Sequence, residues 1–159
     1  MGSDSDLPVM ESTVATLKSL GISCEVKITS AHRTPEATRS YVEDADQRGC
    51  AVFIAAAGLA AHLAGNVAAH TVKPVIGVPL DAGSLQGMDA LLSTVQMPGG
   101  IPVASVAIGK PGAKNAAYLA AQIMAVGDAE IAARLQEERA SNAAAVQAKD
   151  AALQDRLNS

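Results

Sequence analysis

The sequence predicts an α/β fold built on a parallel sheet. Three observations carry this reading. Short apolar runs alternate with helical stretches along the chain. Clusters of Gly, Ser, Asp and Pro punctuate the boundaries between them. The length, 159 residues, suits one domain, which at this size buries about 70% of its unfolded surface.

The elements follow in order. Leu7 to Leu20 reads as a helix, with Asp6 placed to cap it, Pro8 in its first turn and Gly21 at its end. Ser23 to Ile28 alternates as a strand does. Thr34-Pro35 opens a second helix, with Glu36 suiting its positive end and Gly49 closing it. Ala51 to Ala56 reads as a fully buried strand, followed by an alanine-rich helix over Ala60 to His70. Pro74 to Val78 is the next strand and Met88 to Val95 the next helix. Val103 to Ile108 is the last strand, with a helix expected over Asn115 to Met124. Asp128 to about Leu153 is a long polar helix carrying Ile131, Leu135, Val146 and Leu153. With no repeat or linker, the chain divides into an α/β domain over 1–127 and a C-terminal helix over 128–159. The loop Gly2-Ser3-Asp4-Ser5-Asp6 leads into a helix as loops leave parallel strands, so a strand is expected ahead of Met1.

Composition removes several function classes. Twelve Lys and Arg against 16 Asp and Glu leave a net charge of -4, and only 2% of residues are aromatic, with no Trp. Nucleic-acid binding wants a basic stripe and stacking platforms, and neither is present. Low charge and abundant Val, Ile and Leu argue against disorder. Cys24 and Cys50, with no CxxC, do not make a disulfide scaffold and are expected to pack as small buried groups at strand edges. No signal peptide precedes Asp4 and Asp6, which gives the expectation of a soluble cytoplasmic protein. Gly49 to Val72 carries no Asp, Glu, Lys or Arg and is long enough to span a bilayer. Its two histidines, Asn66 and three glycines fit two buried elements joined by a turn better, so no membrane span is expected. The 33 alanines and a mean hydropathy of +0.21 suggest elements packed closely and apolar surface left for subunit contacts.

The chemistry-bearing residues gather where the expected strands end, which in a parallel sheet is where ligands bind. Ser3 and Ser5 at a helix start suit an anion, and Asp6 suits sugar hydroxyls, although capping alone also explains Asp6. In Ser30-Ala31-His32-Arg33, the guanidinium suits phosphate and the imidazole can move protons near neutral pH. Both also fit an ordinary surface loop. The small residues from Ala57 to His62 let a ligand approach backbone N–H groups, or simply let a helix pack tightly on a strand. His62 fits a catalytic group and a subunit or core contact equally well. No HExxH, paired Cys or acidic cluster appears, so metal binding is weakly supported, and with GxGxxG and GxxxxGK[ST] both absent neither a dinucleotide fold nor a P-loop has sequence support.

Taken together and in order, GSDSD, SAHRTP, AGLAAHLAG, PVIGVPL, VQMP followed by GIPVASVAIG, and AKNAAYLAAQI resemble the bacterial N5-carboxyaminoimidazole ribonucleotide mutases of purine biosynthesis. The resemblance runs from Gly2 to about Met124. It implies a flavodoxin-like three-layer sandwich, assembled as a homo-octamer with the C-terminal helix on a neighbour. It implies a small-molecule ribonucleotide substrate, no cofactor, and transfer of a carboxylate from an exocyclic nitrogen to a ring carbon. By motif match, Ser3, Asp6 and Arg33 would hold the ribose phosphate, with Ser5 and Ser30 beside them. His32 matches the catalytic histidine. The loop of Gly58, Leu59, Ala60 and Ala61 would enclose the base and the carboxylate, with His62 counted among the substrate-binding residues.

The chain departs from the family pattern AGAGGAAHLPG at Ala56, Leu59 and Ala64, which stand for two glycines and a proline, and this bears on pocket width. Animal-type relatives carboxylate the unmodified aminoimidazole ribonucleotide with carbon dioxide. The QMPxGIPVA and AAHL patterns favour the mutase branch over that carboxylase. A non-catalytic phosphate-ligand module is the reading from another class.

Overall fold

A computed structural model describes residues 1–158. Three strands form a parallel sheet: β1 (Phe53–Ala57), β2 (Val75–Pro79) and β3 (Ala104–Ser105), in the order β1-β2-β3. Phe53 pairs with Val75 and Ala57 with Pro79, while β3 holds β2 only through Ile76–Ala104 and Gly77–Ser105. Six helices surround it: α1 (Leu7–Ser19), α2 (Pro35–Gln47), α3 (Leu63–Ala68), α4 (Met88–Val95), α5 (Gly109–Ala125) and α6 (Ala129–Leu157).

Strand alternation builds the layers. Ile54 and Ala56 of β1, with Ile76 and Val78 of β2, face Met10 and Leu17 of α1 and a row of buried alanines on α5. Phe53, Ala55 and Val75 face the other way, onto Val42 and Ala45 of α2 and Leu63 and Val67 of α3. The result is the three-layer, flavodoxin-like sandwich. A third cluster, Leu20, Ala121, Ile131 and Leu135, ties the start of α6 to α5. The charge-free stretch from Gly49 to Val72 thus divides into β1, a turn and α3, and no described helix is long and apolar enough to cross a membrane.

Several expectations are corrected. Ser23–Ile28 joins no strand ladder; its backbone is bonded only at its far end, through Lys27 and Thr29, to Met1. Among the described residues no strand pairs with this segment, although Tyr41 and Arg48 bond its Glu25 side chain. Cys24, on that segment, is exposed rather than buried, and Cys50 is half-buried. Asp6 does not cap α1 with its side chain. Ser3 instead caps a 3₁₀ turn over Asp4–Asp6, and Asp6 closes a capping box by accepting from the Ser3 N–H. The last strand shrinks to two residues and α5 begins at Gly109, six residues before its expected start. Pro111 lies in the first turn, where no N–H is needed, and a Cβ on Gly112 would stand 1.5 Å from the Ala107 carbonyl oxygen. Gly and Pro there serve a tight helix start rather than a loop.

Met1 and Gly2 mark the point where the chain changes direction. Gly2 N–H donates to the Ala56 carbonyl at 3.1 Å, and the Met1 carbonyl accepts from Thr29 N–H at 2.9 Å. From Met1–Gly2 the chain passes through α1 on one face to Ser23–Ile28 on one side. It then returns through α2 on the opposite face to β1 on the other side. This is a topological switch point, where adjacent loops diverge to opposite faces and open a crevice.

Candidate active site

Three loops meet at that crevice, and each runs into a helix. Gly2–Asp6 enters α1, Ser30–Thr34 enters α2 and Gly58–His62 enters α3. The positive ends of the α1 and α2 dipoles, which start from these loops, make the crevice attractive to an anion.

The central loop holds the other two. Arg33 Nη2 donates to the Gly2 carbonyl at 3.3 Å. His32 Nε2 lies 2.7 Å from His62 Nδ1, with the rings edge-on at 75°. One proton serves that contact, carried by either ring. Arg33 forms no ion pair with any carboxylate among the described residues, so its fork keeps N–H groups for a ligand. Both histidines and Arg33 are exposed to the crevice.

Threonines fix the central loop from below. The Thr29 and Thr38 hydroxyls lie 2.6 Å apart and buried, and Thr38 also donates to the Thr34 carbonyl. Thr34 Oγ1 accepts from Ser30 N–H at 2.9 Å and reaches back to the Ser30 carbonyl. Ser30 Oγ in turn accepts from the Arg33 N–H at 3.1 Å. Ser30 therefore shapes the turn that aims His32 and Arg33. Thr29, Thr34 and Thr38 were not singled out from the sequence, although their spacing across a helix start is a usable signal.

In the first loop, Ser5 Oγ donates to Ser3 Oγ at 2.9 Å, so the two hydroxyls stand together at the helix start. The Asp6 carboxyl accepts from Ser3 N–H and lies 3.7 Å from where a Cβ on Gly2 would be. Burial pushes its pKa up, against the Ser3 and Gly2 amides and the Met1 ammonium, which pull it down.

The third loop is shaped by close packing. A Cβ on Gly58 would stand 2.6 Å from the Ala82 Cβ, so glycine is needed there for contact with the loop after β2. Leu59 adopts φ +54°, uncommon for a branched side chain, and its exposed side chain lies over Gly83. Ala60 is exposed, while Ala61 is buried beneath the loop. His62 sits at the helix boundary, not within the first turn, because α3 begins at Leu63. Asp81 is a further carboxylate at this sheet edge, near Gly109.

The profile of AIR carboxylase matches residues 1–145. The chain belongs to the AIR carboxylase family. Among its relatives is a protein of Mycobacterium tuberculosis named N5-carboxyaminoimidazole ribonucleotide mutase, 53% identical over 154 residues, which are 97% of this chain and 87% of that one. Relatives of the same name occur in Synechocystis, 52% identical over 97% of this chain and 86% of that one, and in Bacillus subtilis, 52% identical over 87% and 86%. The crystal structure of Treponema denticola PurE superposes with a TM-score of 0.84 at 33% identity, covering 95% of this AIR carboxylase family member and 93% of that chain.

Proposed function

We propose that the protein is an N5-carboxyaminoimidazole ribonucleotide mutase, an isomerase that forms 4-carboxy-5-aminoimidazole ribonucleotide in purine biosynthesis. The observation that carries this reading is the meeting of the His32–His62 ring contact with an anion-suited crevice at Arg33 and the Ser3–Asp6 turn. The names of the relatives agree with it.

Arg33, Ser3 and Ser5 hold the phosphate, and Asp6 takes the ribose hydroxyls. His32 gives its proton to the carbamate nitrogen. The N–C bond then breaks, its electron pair stays on nitrogen, and carbon dioxide is released into the crevice. The ring carbon attacks that carbon dioxide and a C–C bond forms. The proton leaving the ring carbon returns to His32, which restores the aromatic ring. One carrier serves both halves, and proximity of the trapped carbon dioxide keeps the second half intramolecular in effect. Gly58–Ala61 close over the base, and His62 holds the His32 ring in place through their shared proton.

The same reading includes a cytoplasmic homo-octamer. Only Ile131 and Leu135 of α6 are buried, so residues 136–157 extend about 33 Å with Val146, Leu153 and Leu157 exposed. A neighbouring subunit is the natural cover for such a helix.

The deciding experiment offers purified protein the carbamate ribonucleotide and, separately, the uncarboxylated ribonucleotide with bicarbonate, with mass measured by light scattering. The carbamate substrate is expected to turn over without added bicarbonate, in an octamer. Conversion seen only from the uncarboxylated ribonucleotide at high bicarbonate would make the protein a carboxylase. His32→Asn is expected to abolish turnover while ribonucleotide binding persists; unchanged turnover would reject the mechanism.

A further inference from the structure

Leu59 carries two costs that the packing around it does not offset. Its backbone holds φ +54°, where a Cβ crowds the following carbonyl oxygen. Its side chain is 55% exposed, so much of the gain from burying a leucine is forgone. A glycine at this position would bear neither cost.

The make-up of the crevice sets Leu59 apart. In the three loops Gly2–Asp6, Ser30–Thr34 and Gly58–His62, it is the one large hydrocarbon side chain. Every other residue there is polar, or is glycine or alanine.

The side chain has a definite seat. Leu59 Cδ2 lies 2.6 Å from where a Cβ on Gly83 would stand, so it rests on bare backbone of the loop after β2. Gly83 itself holds φ +75°, which favours glycine. One residue earlier, Gly58 meets the Ala82 Cβ in the same way, at 2.6 Å. These two contacts join the loops that leave β1 and β2 side by side at the carboxyl edge of the sheet. The second of these loops, Leu80–Gly87, is pinched at its base, because a Cβ on Gly87 would stand 3.1 Å from the Leu80 carbonyl oxygen. Ala82 N–H and Gln86 N–H both bond within it, to the Leu80 and Gly83 carbonyls. Leu59 thus bridges from the crevice to a self-contained loop.

The role of Leu59 depends on the mutase reading, in which carbon dioxide is an intermediate. Carbon dioxide is neutral and brings no N–H or O–H, so the charged and hydroxyl groups suited to a ribonucleotide give it no strong hold. What keeps it beside the ring carbon is a wall that excludes water. Glycine and methyl groups leave a gap where two loops meet, and an isobutyl group fills it.

We propose that Leu59, seated on Gly83, closes the β2 side of the crevice and retains the released carbon dioxide until the ring carbon captures it. The side chain makes and breaks no bond; it sets the balance between capture and escape. A molecule that escapes is hydrated to bicarbonate and leaves the uncarboxylated ribonucleotide behind. A molecule that enters from solvent bonds to the ring carbon in its place.

The test runs the full chain on the carbamate ribonucleotide in isotopically labelled bicarbonate, with carbonic anhydrase present, at early conversion and against an enzyme-free blank. Two signals are read per turnover: label in the product carboxylate, and release of the uncarboxylated ribonucleotide. Leu59→Gly is expected to raise both several-fold, Leu59→Ala to raise them less, and Leu59→Met to stay near the parent. KM should stay within about twofold in all three, because the phosphate contacts are untouched. Parental values of both signals in Leu59→Gly overturn the proposal, whatever its melting midpoint, since the leucine then only packs against the neighbouring loop. Loss of turnover in both Leu59→Gly and Leu59→Ala, with no uncarboxylated ribonucleotide released, overturns it as well. A parent protein that does not isomerise the carbamate overturns the mutase reading and the proposal with it, and this is seen before any variant is compared.

Discussion

Replacing Arg33 with Met removes the guanidinium but keeps an unbranched apolar stem. In the structure the fork spends one N–H on the Gly2 carbonyl, at 3.3 Å, and meets no carboxylate among the described residues. The rest of the fork is free for a phosphate. A hydrogen bond to a charged group is worth about 1.5–3 kcal/mol. Loss of one such bond therefore weakens ribonucleotide binding about 13- to 160-fold. The contact lies away from the reacting bonds, so KM is expected to rise with kcat little changed. The neutral bond to Gly2 is exposed, and its loss should cost stability no more than about 0.5–1.5 kcal/mol. Steady-state kinetics with the carbamate ribonucleotide, direct titration with the product ribonucleotide, and a melting curve separate these effects. A KM and dissociation constant within about twofold of the parent, a change worth under 0.5 kcal/mol, would show that Arg33 does not bind the phosphate.

Three further outcomes are expected. Gly77→Ala places a methyl 2.3 Å from Thr94 Cγ2 and 2.9 Å from Val103 Cγ1, in the middle of β2. Overpacking there should cost about 1–3 kcal/mol, seen as a lower urea midpoint with an unchanged slope. Tyr118 donates to Glu138, tying α5 to α6, and burial followed by that carboxylate pushes its pKa up to about 12. Its folded pKa exceeds the unfolded value of 10.0, so its contribution is complete below pH 10 and is lost as pH rises towards 12. Melting curves of Tyr118→Phe should show a flatter decline across that window, and an unchanged decline would disprove the link. Asp6 also has a raised pKa, so its stabilising effect is present below 3.8 and is lost as pH climbs through its folded value. Asp6→Asn should thus raise the melting midpoint at pH 7 while weakening ribonucleotide binding; a lower midpoint at pH 7 would contradict the sign.

Much of the fold is legible in local signals. Thr34, Pro35 and Gly49 bracket α2 as written, and Met88–Val95 is helical over the expected residues. The misreadings share a cause: partners distant in sequence decide them. Ser23–Ile28 alternates like a strand, yet a strand is defined by its neighbours, and no strand among the described residues pairs with it. Gly112 reads as a loop residue because the Ala107 carbonyl that demands it is invisible in composition. Asp6 fits the cap position of α1, but the preceding 3₁₀ turn draws its carboxyl to Ser3 instead. The site divides in the same way. His32, Arg33 and the serines stand out by type and by their place at strand ends. The contact between His32 and His62, 30 residues apart, and the threonine cluster beneath the loop depend on packing that no spacing rule contains.

The alanine face of α5 bears on how this protein can vary. Ala113, Ala116 and Ala117 are completely buried and Ala120 nearly so, all against the α1 side of the core. A methyl group has no rotamers, so ordering this layer on folding costs almost no side-chain entropy. Nor can it rearrange to admit a larger neighbour. Substitutions that enlarge the seam must move a whole helix, and α1 begins at the phosphate-suited turn. Sequence drift in the seam would therefore be felt at the crevice as a change in geometry, long before it threatened the fold.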